Sequence, residues 1–244
     1  MSVEAGLERY EKVNEEIKHQ LEKKNKVTVK NVNGQRYIGC ALESGKTIEV
    51  HGTPGNDMAC YLNGGKIVVY GNCQDAVGNT MNGGEIIVHG HSGDAMGYGM
   101  RDGEIFIRDN VACRGGIHMK EFEQMKPVLV IGQNAGSFLG EYMAGGTIVL
   151  LGLDLKRGEK LFGTHCASGM HGGKIFVRGN FPKENLSPNI NVKDLTKEDE
   201  KELNKYIKKY CKCFDVDYNI VMNKPFKKLV PATSRPYANL YVAN

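Results

Sequence analysis

The sequence contains no apolar run that approaches the roughly 20 residues of a membrane-spanning helix. Residues 1–9 are charged and lack the apolar segment of a secretion signal. These absences predict a soluble cytoplasmic protein that has no membrane partner.

Paired cysteine motifs are also missing. None of the seven cysteines, which are Cys40, Cys60, Cys73, Cys113, Cys166, Cys211 and Cys213, forms a Cys-x-x-Cys pair of the kind that holds zinc or an iron–sulfur cluster. Their number is odd, so reduced thiols in a cytoplasm are the simplest interpretation. We therefore expect no metal site.

Charge is nearly balanced, with a formal net value of +4. The lysine-rich runs near both ends of the chain also carry acidic residues, which is typical of solvated helix faces. The charge pattern thus gives no reason to expect a nucleic-acid partner.

Glycine, in contrast, is abundant, at 31 of 244 residues. The glycines are spread through strand-like segments instead of forming a low-complexity linker, which indicates many tight turns. The composition therefore predicts a turn-rich β protein with one elongated domain.

A repeat accounts for these glycines. Seven short segments rich in β-branched residues end at positions 52, 71, 90, 109, 132, 152 and 179, which are separated by 19, 19, 19, 23, 20 and 27 residues. Such units are too short for a strand plus a crossover helix. The repeat predicts an all-β core, a right-handed parallel β-helix of about seven turns, with insertions near 110–125 and 153–165.

Stacking these turns predicts aligned side chains, since strand residues alternate between two faces. The predicted inward columns are Ile48, Ile67, Ile86, Ile105, Val128, Ile148 and Ile175, and beside them Val50, Val69, Val88, Ile107, Val130, Leu150 and Val177. The position between them points outward and is apolar in six turns, as Val68, Ile87, Phe106, Leu129, Val149 and Phe176. We expect the chain's own ends or a partner to cover this outward ladder.

The repeated glycines are predicted to turn the corners, where a positive φ or a close backbone approach is needed. They are Gly52, Gly64, Gly65, Gly71, Gly83, Gly84, Gly90, Gly103, Gly132, Gly145, Gly146, Gly152, Gly172, Gly173 and Gly179. An apolar residue also recurs three positions before the last glycine of a turn, and we call it the apolar landmark. It is Leu62, Met81, Met100, Met143 and Met170.

The two ends of the chain differ from the repeat. Residues 1–26 predict a helix with Leu7, Tyr10, Ile17 and Leu21 on one stripe, residues 27–182 form the coil, and residues 183–244 hold a second helix and an extended tail. Thr196 is the predicted cap of the second helix, whose apolar stripe is Leu203, Tyr206, Ile207 and Tyr210. The proline-containing tail, including Lys224 to Pro231 and Arg235-Pro236-Tyr237, suits a strap along this or another subunit.

Four groups of residues are candidates for sites, and all are interpreted as structural. Gly90, Gly93, Gly97 and Gly99 precede a strand instead of opening a phosphate-binding helix. His51 and His89 lie two turns apart, too far to share a zinc ion easily.

The remaining two groups contain cysteine. His165, Cys166 and His171 lie beside the largest insertion, without an identifiable oxyanion donor or third partner. Cys211 and Cys213 would point to different faces of a helix. We therefore assign no catalytic, cofactor-binding or metal-binding residue to this chain.

The recurrent Gly-Gly-x-Ile-φ-Val-x-Gly unit, where φ is apolar, follows residues 32–39 in seven turns. It resembles the GXGXG domain at the C-terminal end of the glutamate synthase large subunit. It looks most like the stand-alone archaeal form, in which the large subunit is divided among separate chains.

The resemblance implies a structural subunit of glutamate synthase. Its expected partners are a glutaminase chain and a synthase chain beside the ammonia route, and FMN and iron–sulfur clusters would be held by the partner chains. Homo-oligomerisation stays open, and no cofactor is expected on this chain.

Two alternatives remain. One subunit of formylmethanofuran dehydrogenase has a similar GXGXG domain, and a scaffold of that enzyme is the second hypothesis. An independent enzyme acting on polysaccharide or acyl groups is the third, and it would need a carboxylate or histidine cluster along one groove, whereas the aligned outward positions are mixed.

Overall fold

A computed structural model describes residues 2–234, which form an 11-stranded sheet with two main helices. The strands are β1 (Ser2–Glu4), β2 (Lys26–Asn33), β3 (Thr47–Thr53), β4 (Asn63–Tyr70), β5 (Asn82–Val88), β6 (Asp102–Ile107), β7 (Val128–Ile131), β8 (Ala144–Leu150), β9 (Gly172–Arg178), β10 (Ile190–Lys193) and β11 (Phe226–Pro231). The α-helices are α1 (Tyr10–Lys23), α2 (Lys197–Phe214) and the short α3 (Tyr218–Met222), with one 3₁₀ helix at Lys183–Asn185.

Strands β1 to β9 pair in parallel, each with the next in sequence. This is a parallel β-solenoid, and the fold expected from the repeat is confirmed, with the seven repeated segments as the consecutive strands β3–β9. On a second side of the coil, five successive turns pair through one residue each, and these residues are Cys73, Ser92, Val111, Ala135 and Phe162.

At β7 the strand register differs from the register that the alignment of the seven repeats predicted. Leu129 and Ile131, not Val128 and Val130, pair with Ile105 and Ile107 and join the inner core. The predicted inward positions of Val128 and Val130, and the outward position of Leu129, were therefore wrong. The insertion before β7 is one residue longer than the spacing of the terminal glycines implied, and a one-residue slip exchanges the two faces of a strand.

The outward apolar ladder is covered by the chain itself. Corrected for the register, it runs through Val68, Ile87, Phe106, Val130, Val149 and Phe176 and packs beneath Leu203, Tyr206, Ile207 and Tyr210 of α2. Lys209 of α2 lies between two carboxylates of the sheet, 2.5 Å from Glu85 and also paired with Glu104. An apolar stripe and an ion-pair clamp together fix the helix on the sheet.

The beginning of α2 follows the sequence prediction. Thr196 accepts a hydrogen bond from the Asp199 amide, and the Asp199 carboxylate accepts one from the Thr196 amide, so the capping box is complete. Burial opposes ionisation of Asp199, but hydrogen bonds from Lys228 and Thr196 outweigh burial and lower its pKa.

The N-terminal segment departs from the prediction of one long helix. Residues 2–4 form strand β1 beside β2, and α1 begins at Tyr10, so Leu7 lies outside the helix and is 94% exposed. Val13, Ile17 and Leu21 of α1 pack against the inner core. The first end of the coil is thereby closed by a strand and a helix, not by a helix alone.

The other end is closed by antiparallel strands. β11 pairs with β9 and β10, so the segment from Lys224 to Pro231 lies along its own subunit. The Arg235-Pro236-Tyr237 part of the predicted strap falls outside the described residues.

Buried Arg178 ties this end together. Its guanidinium donates to the carbonyls of Leu151, Ile220 and Val221 and to the side chain of Asn223. The charge is therefore held by the carbonyl groups at the end of α3, where the helix dipole is negative.

Candidate functional site: the third face of the coil

The third side of each turn has an unusual backbone. In seven successive segments, three residues spaced by two have positive φ, for example Ala95, Gly97 and Gly99, or Phe138, Gly140 and Tyr142. Hydrogen bonds alternate in direction: Gly97 donates to Val77 of the preceding turn, whereas Ala95 donates to Cys113 of the following turn. This side is therefore bonded along the coil as continuously as the strands are.

The middle left-handed position accepts only a very small residue. A Cβ on Gly78 would lie 2.7 Å from Ile105 Cδ1, and one on Gly116 would lie 2.6 Å from Ile148 Cδ1. The outer two positions point away from the core and carry side chains of any size. They are Tyr37 and Ala41, Asp57 and Tyr61, Ala76 and Thr80, Ala95 and Gly99, Arg114 and His118, Phe138 and Tyr142, and His165 and Gly169.

Aromatic side chains occupy several of these outer positions and form ordered contacts. His118 stacks on Tyr142 with ring centroids 5.2 Å apart. It also meets the edge of Tyr98, which lies between two left-handed glycines of the preceding turn, at 5.8 Å. In a parallel row, Phe138 stacks on His165 at 4.9 Å and lies 5.1 Å from the Arg114 guanidinium. These six side chains and Tyr61 are together called the aromatic face. Its seven members are Tyr61, Tyr98, Arg114, His118, Phe138, Tyr142 and His165.

The aromatic face is open to solvent. Tyr61, Tyr98 and Tyr142 are 53%, 41% and 36% exposed. Arg114 forms an ion pair with Glu141 at 3.4 Å, and Glu141 is itself buried. The face thus combines stacked aromatic rings with guanidinium and imidazole nitrogen groups.

Sequence reasoning missed this face, apart from His165. A signal was nevertheless present, because Tyr61, His118 and Tyr142 each stand directly before an apolar landmark, at Leu62, Met119 and Met143. Met119 is fully buried and extends that landmark column into the fifth turn.

The residues considered as catalytic candidates have structural surroundings. Cys166 is completely buried, and burial raises the pKa of its thiol, which is the opposite of what a nucleophile needs. His165 stacks on Phe138, and the His171 ring lies 3.1 Å from the Gly169 carbonyl oxygen. Cys166 therefore lies in the core, and both histidine rings already contact other groups of the coil.

The other candidate residues are also occupied. His51 and His89 stack on opposite sides of Tyr70 at 4.8 and 4.9 Å. Burial, with a smaller contribution from Arg108, lowers the pKa of His89. Cys211 and Cys213 pack at the edge of the α2 interface, and burial raises the pKa of both.

The glycine-rich stretch at 90–99, which was considered as a phosphate-binding loop, runs along two sides of one turn of the coil. Gly97 and Gly99 are left-handed positions of the third face, and β6 follows at Asp102. Among residues 2–234, no group of three or more His, Cys, Asp or Glu side chains is placed to hold a metal ion. None of the described helices is both long and apolar enough to span a bilayer.

A groove of 380 Å³ between α2 and the ends of β8 and β9 is lined by charged side chains. Lys174 lies 2.5 Å from Glu202 and 3.8 Å from Asp199, and Lys228 pairs with Asp199. Thr147 donates to Glu202 as well. These groups satisfy one another and hold α2 in place.

Taken together, the geometry defines a parallel β-solenoid protein with a self-covered sheet and an exposed aromatic face. The sequence profile of the GXGXG motif family matches residues 3–234, and the chain belongs to that family. Alternating glycine suits a fold in which every second residue of one side has positive φ. The resemblance to the GXGXG domain of glutamate synthase is confirmed at this level.

The chain is also similar to a curated protein of the archaeon Methanocaldococcus jannaschii that is described as uncharacterized. The two are 44% identical over 242 residues, which is 95% of this chain and 92% of the relative. The likeness therefore extends through the flanking helices as well as the coil.

Proposed function

We propose that this chain is a non-catalytic subunit of a multi-chain glutamate synthase. In this role it scaffolds a glutaminase chain and an FMN-containing synthase chain and keeps them beside the route of ammonia. FMN and iron–sulfur clusters belong to the partner chains. The cytoplasm is the compartment that suits its seven free thiols.

The observation that carries the proposal is membership of the GXGXG motif family over residues 3–234, since that family includes a domain of glutamate synthase. The surroundings of the candidate side chains agree with it. Cys166 lies in the core, His51 and His89 stack on Tyr70, and the charged groove is internally paired. The chemistry is accordingly assigned to other chains.

Native affinity purification tests the proposal. The tagged chain is expected to copurify with two further polypeptides that mass spectrometry identifies as a glutaminase and a flavoprotein, and the complex should show bound FMN by absorbance. Recovery with a molybdenum or tungsten formyl dehydrogenase would instead establish the formylmethanofuran dehydrogenase alternative.

A further inference from the structure

The aromatic face contains side chains that the coil does not need. Tyr142, His118 and Tyr61 have φ values of 51°, 55° and 56°, a conformation that bulky residues seldom adopt. At the equivalent positions of other turns stand Ala41, Thr80, Gly99 and Gly169, with the same backbone. Small residues therefore adopt the same backbone conformation, so the coil does not require rings at these positions.

Stacking orders the rings of the aromatic face before any partner binds. Because His118 stacks on Tyr142 and Phe138 stacks on His165, these side chains have already lost much of their rotational freedom. Ordered Tyr, Phe and Arg side chains are enriched in protein interfaces, since burying them costs little further entropy.

The outward ladder and both ends of the coil are covered by the chain itself. Helix α2 lies on the outward ladder, α1 packs at the first end, and β11 pairs with β9 at the last strand of the parallel stack. The exposed side of α2 carries lysines such as Lys208 and Lys212, whose flexible side chains are depleted in interfaces. Within residues 2–234, the aromatic face is thus an open surface with the composition of a binding site.

Charge defines the kind of partner. Arg114, His118 and His165 supply hydrogen-bond donors on this face. The carboxylates near them are already occupied: Glu141 is buried and paired with Arg114, Asp57 accepts a hydrogen bond from Asn79, and Glu184 beside His165 pairs with Lys160. Asp75 and Asp94 at the neighbouring corner are occupied as acceptors of backbone amides of the following turns. A surface that presents carboxylates between apolar groups would complement this arrangement.

We infer that the aromatic face is the docking surface for a partner protein chain that presents carboxylates among apolar side chains. The inference rests on the proposed function, because it assigns the surface through which this scaffold holds a component of its complex.

The test uses a double variant, Tyr142→Asn with His118→Asn, in the full chain. Asparagine tolerates the left-handed conformation, so the variant is expected to keep or raise the thermal midpoint. Lys208→Ala with Lys212→Ala on α2 is the matched control. Affinity for the partner chain that copurifies with the wild type is measured by titration at low and high salt.

The expected result is at least about a tenfold loss of affinity for the aromatic-face variant, which is the effect of losing interface anchors. The control should stay within about twofold of the wild type, and high salt should weaken wild-type binding. Unchanged binding of the aromatic-face variant, or equal loss in the α2 control, would overturn the inference while leaving the proposed function intact. If the wild type retains neither a glutaminase nor a flavoprotein, the proposed function fails and the inference fails with it.

Discussion

At the scale of the residue, close contact between neighbouring turns explains the glycines better than φ alone. Nine of the fifteen turn glycines named from the sequence have positive φ, whereas others, such as Gly71 and Gly172, do not. A Cβ on Gly71 would lie 2.3 Å from the carbonyl oxygen of Gly52, and one on Gly172 would lie 2.2 Å from that of Ala144. Backbone from the adjacent turn occupies the space that a side chain would need.

Gly71→Ala should therefore destabilise the fold by about 3 kcal/mol, because the clash is with hydrogen-bonded backbone that cannot move away. Gly45→Ala is the control, since a Cβ there meets nothing within 4 Å and only the φ of 79° opposes it. The control should cost about 1 kcal/mol. Urea unfolding measures both, and equal losses would mean that turn contact is unimportant at Gly71.

At the scale of the element, the two faces of each strand have different functions. Ile86 and Ile105 lie in the inner core, whereas Phe106 is fully buried under α2. A polar substitution on either face should therefore disturb different parts of the molecule.

Phe106→Ser should lower stability by about 3–5 kcal/mol and release α2 preferentially, because it opens a cavity under the helix. Hydrogen exchange should show faster exchange in α2 than in β5 and β6. Ile86→Asp, which puts an unpaired charge into the inner core, should instead abolish folding of the coil. Uniform loss of protection in Phe106→Ser would show that α2 and the coil are one cooperative unit.

The cap of α2 should make stability depend on pH. Since the pKa of Asp199 is lowered in the folded protein, its contribution is complete above the ordinary carboxyl pKa of 3.8 and is lost as pH falls through the lower folded value. Asp199→Asn should therefore cost about 1–2 kcal/mol at neutral pH and progressively less below pH of about 3.8. Urea midpoints of both proteins across this range check it, and a difference independent of pH would contradict the assignment.

How much of the fold the sequence predicts follows from these contacts. The strands β3–β9 and the stripe of α2 were predictable, because apolar periodicity reports burial directly. The register of β7 was wrong by one residue, since every position from Val128 to Ile131 is buried and alternation disappears there. The aromatic face was missed because a positive φ is usually inferred from glycine, and the left-handed positions 118 and 142 hold His118 and Tyr142 instead.

At the scale of the whole molecule, the structure is a rod with most of its apolar surface covered by its own helices and terminal strands. Its stability is built from contacts between successive turns, with α2 clamped across six outward side chains. A rigid body of this kind suits a spacer between catalytic chains, which is the role proposed for this protein.

The most direct test of that role is the dependence of nitrogen transfer on this chain. In a complex reconstituted with and without it, glutamate synthesis from glutamine should fall when the chain is left out, while synthesis from free ammonia by the flavoprotein should persist. That pattern would mean that the scaffold couples the two chemistries. Unchanged glutamine-dependent synthesis in its absence would contradict the proposed role.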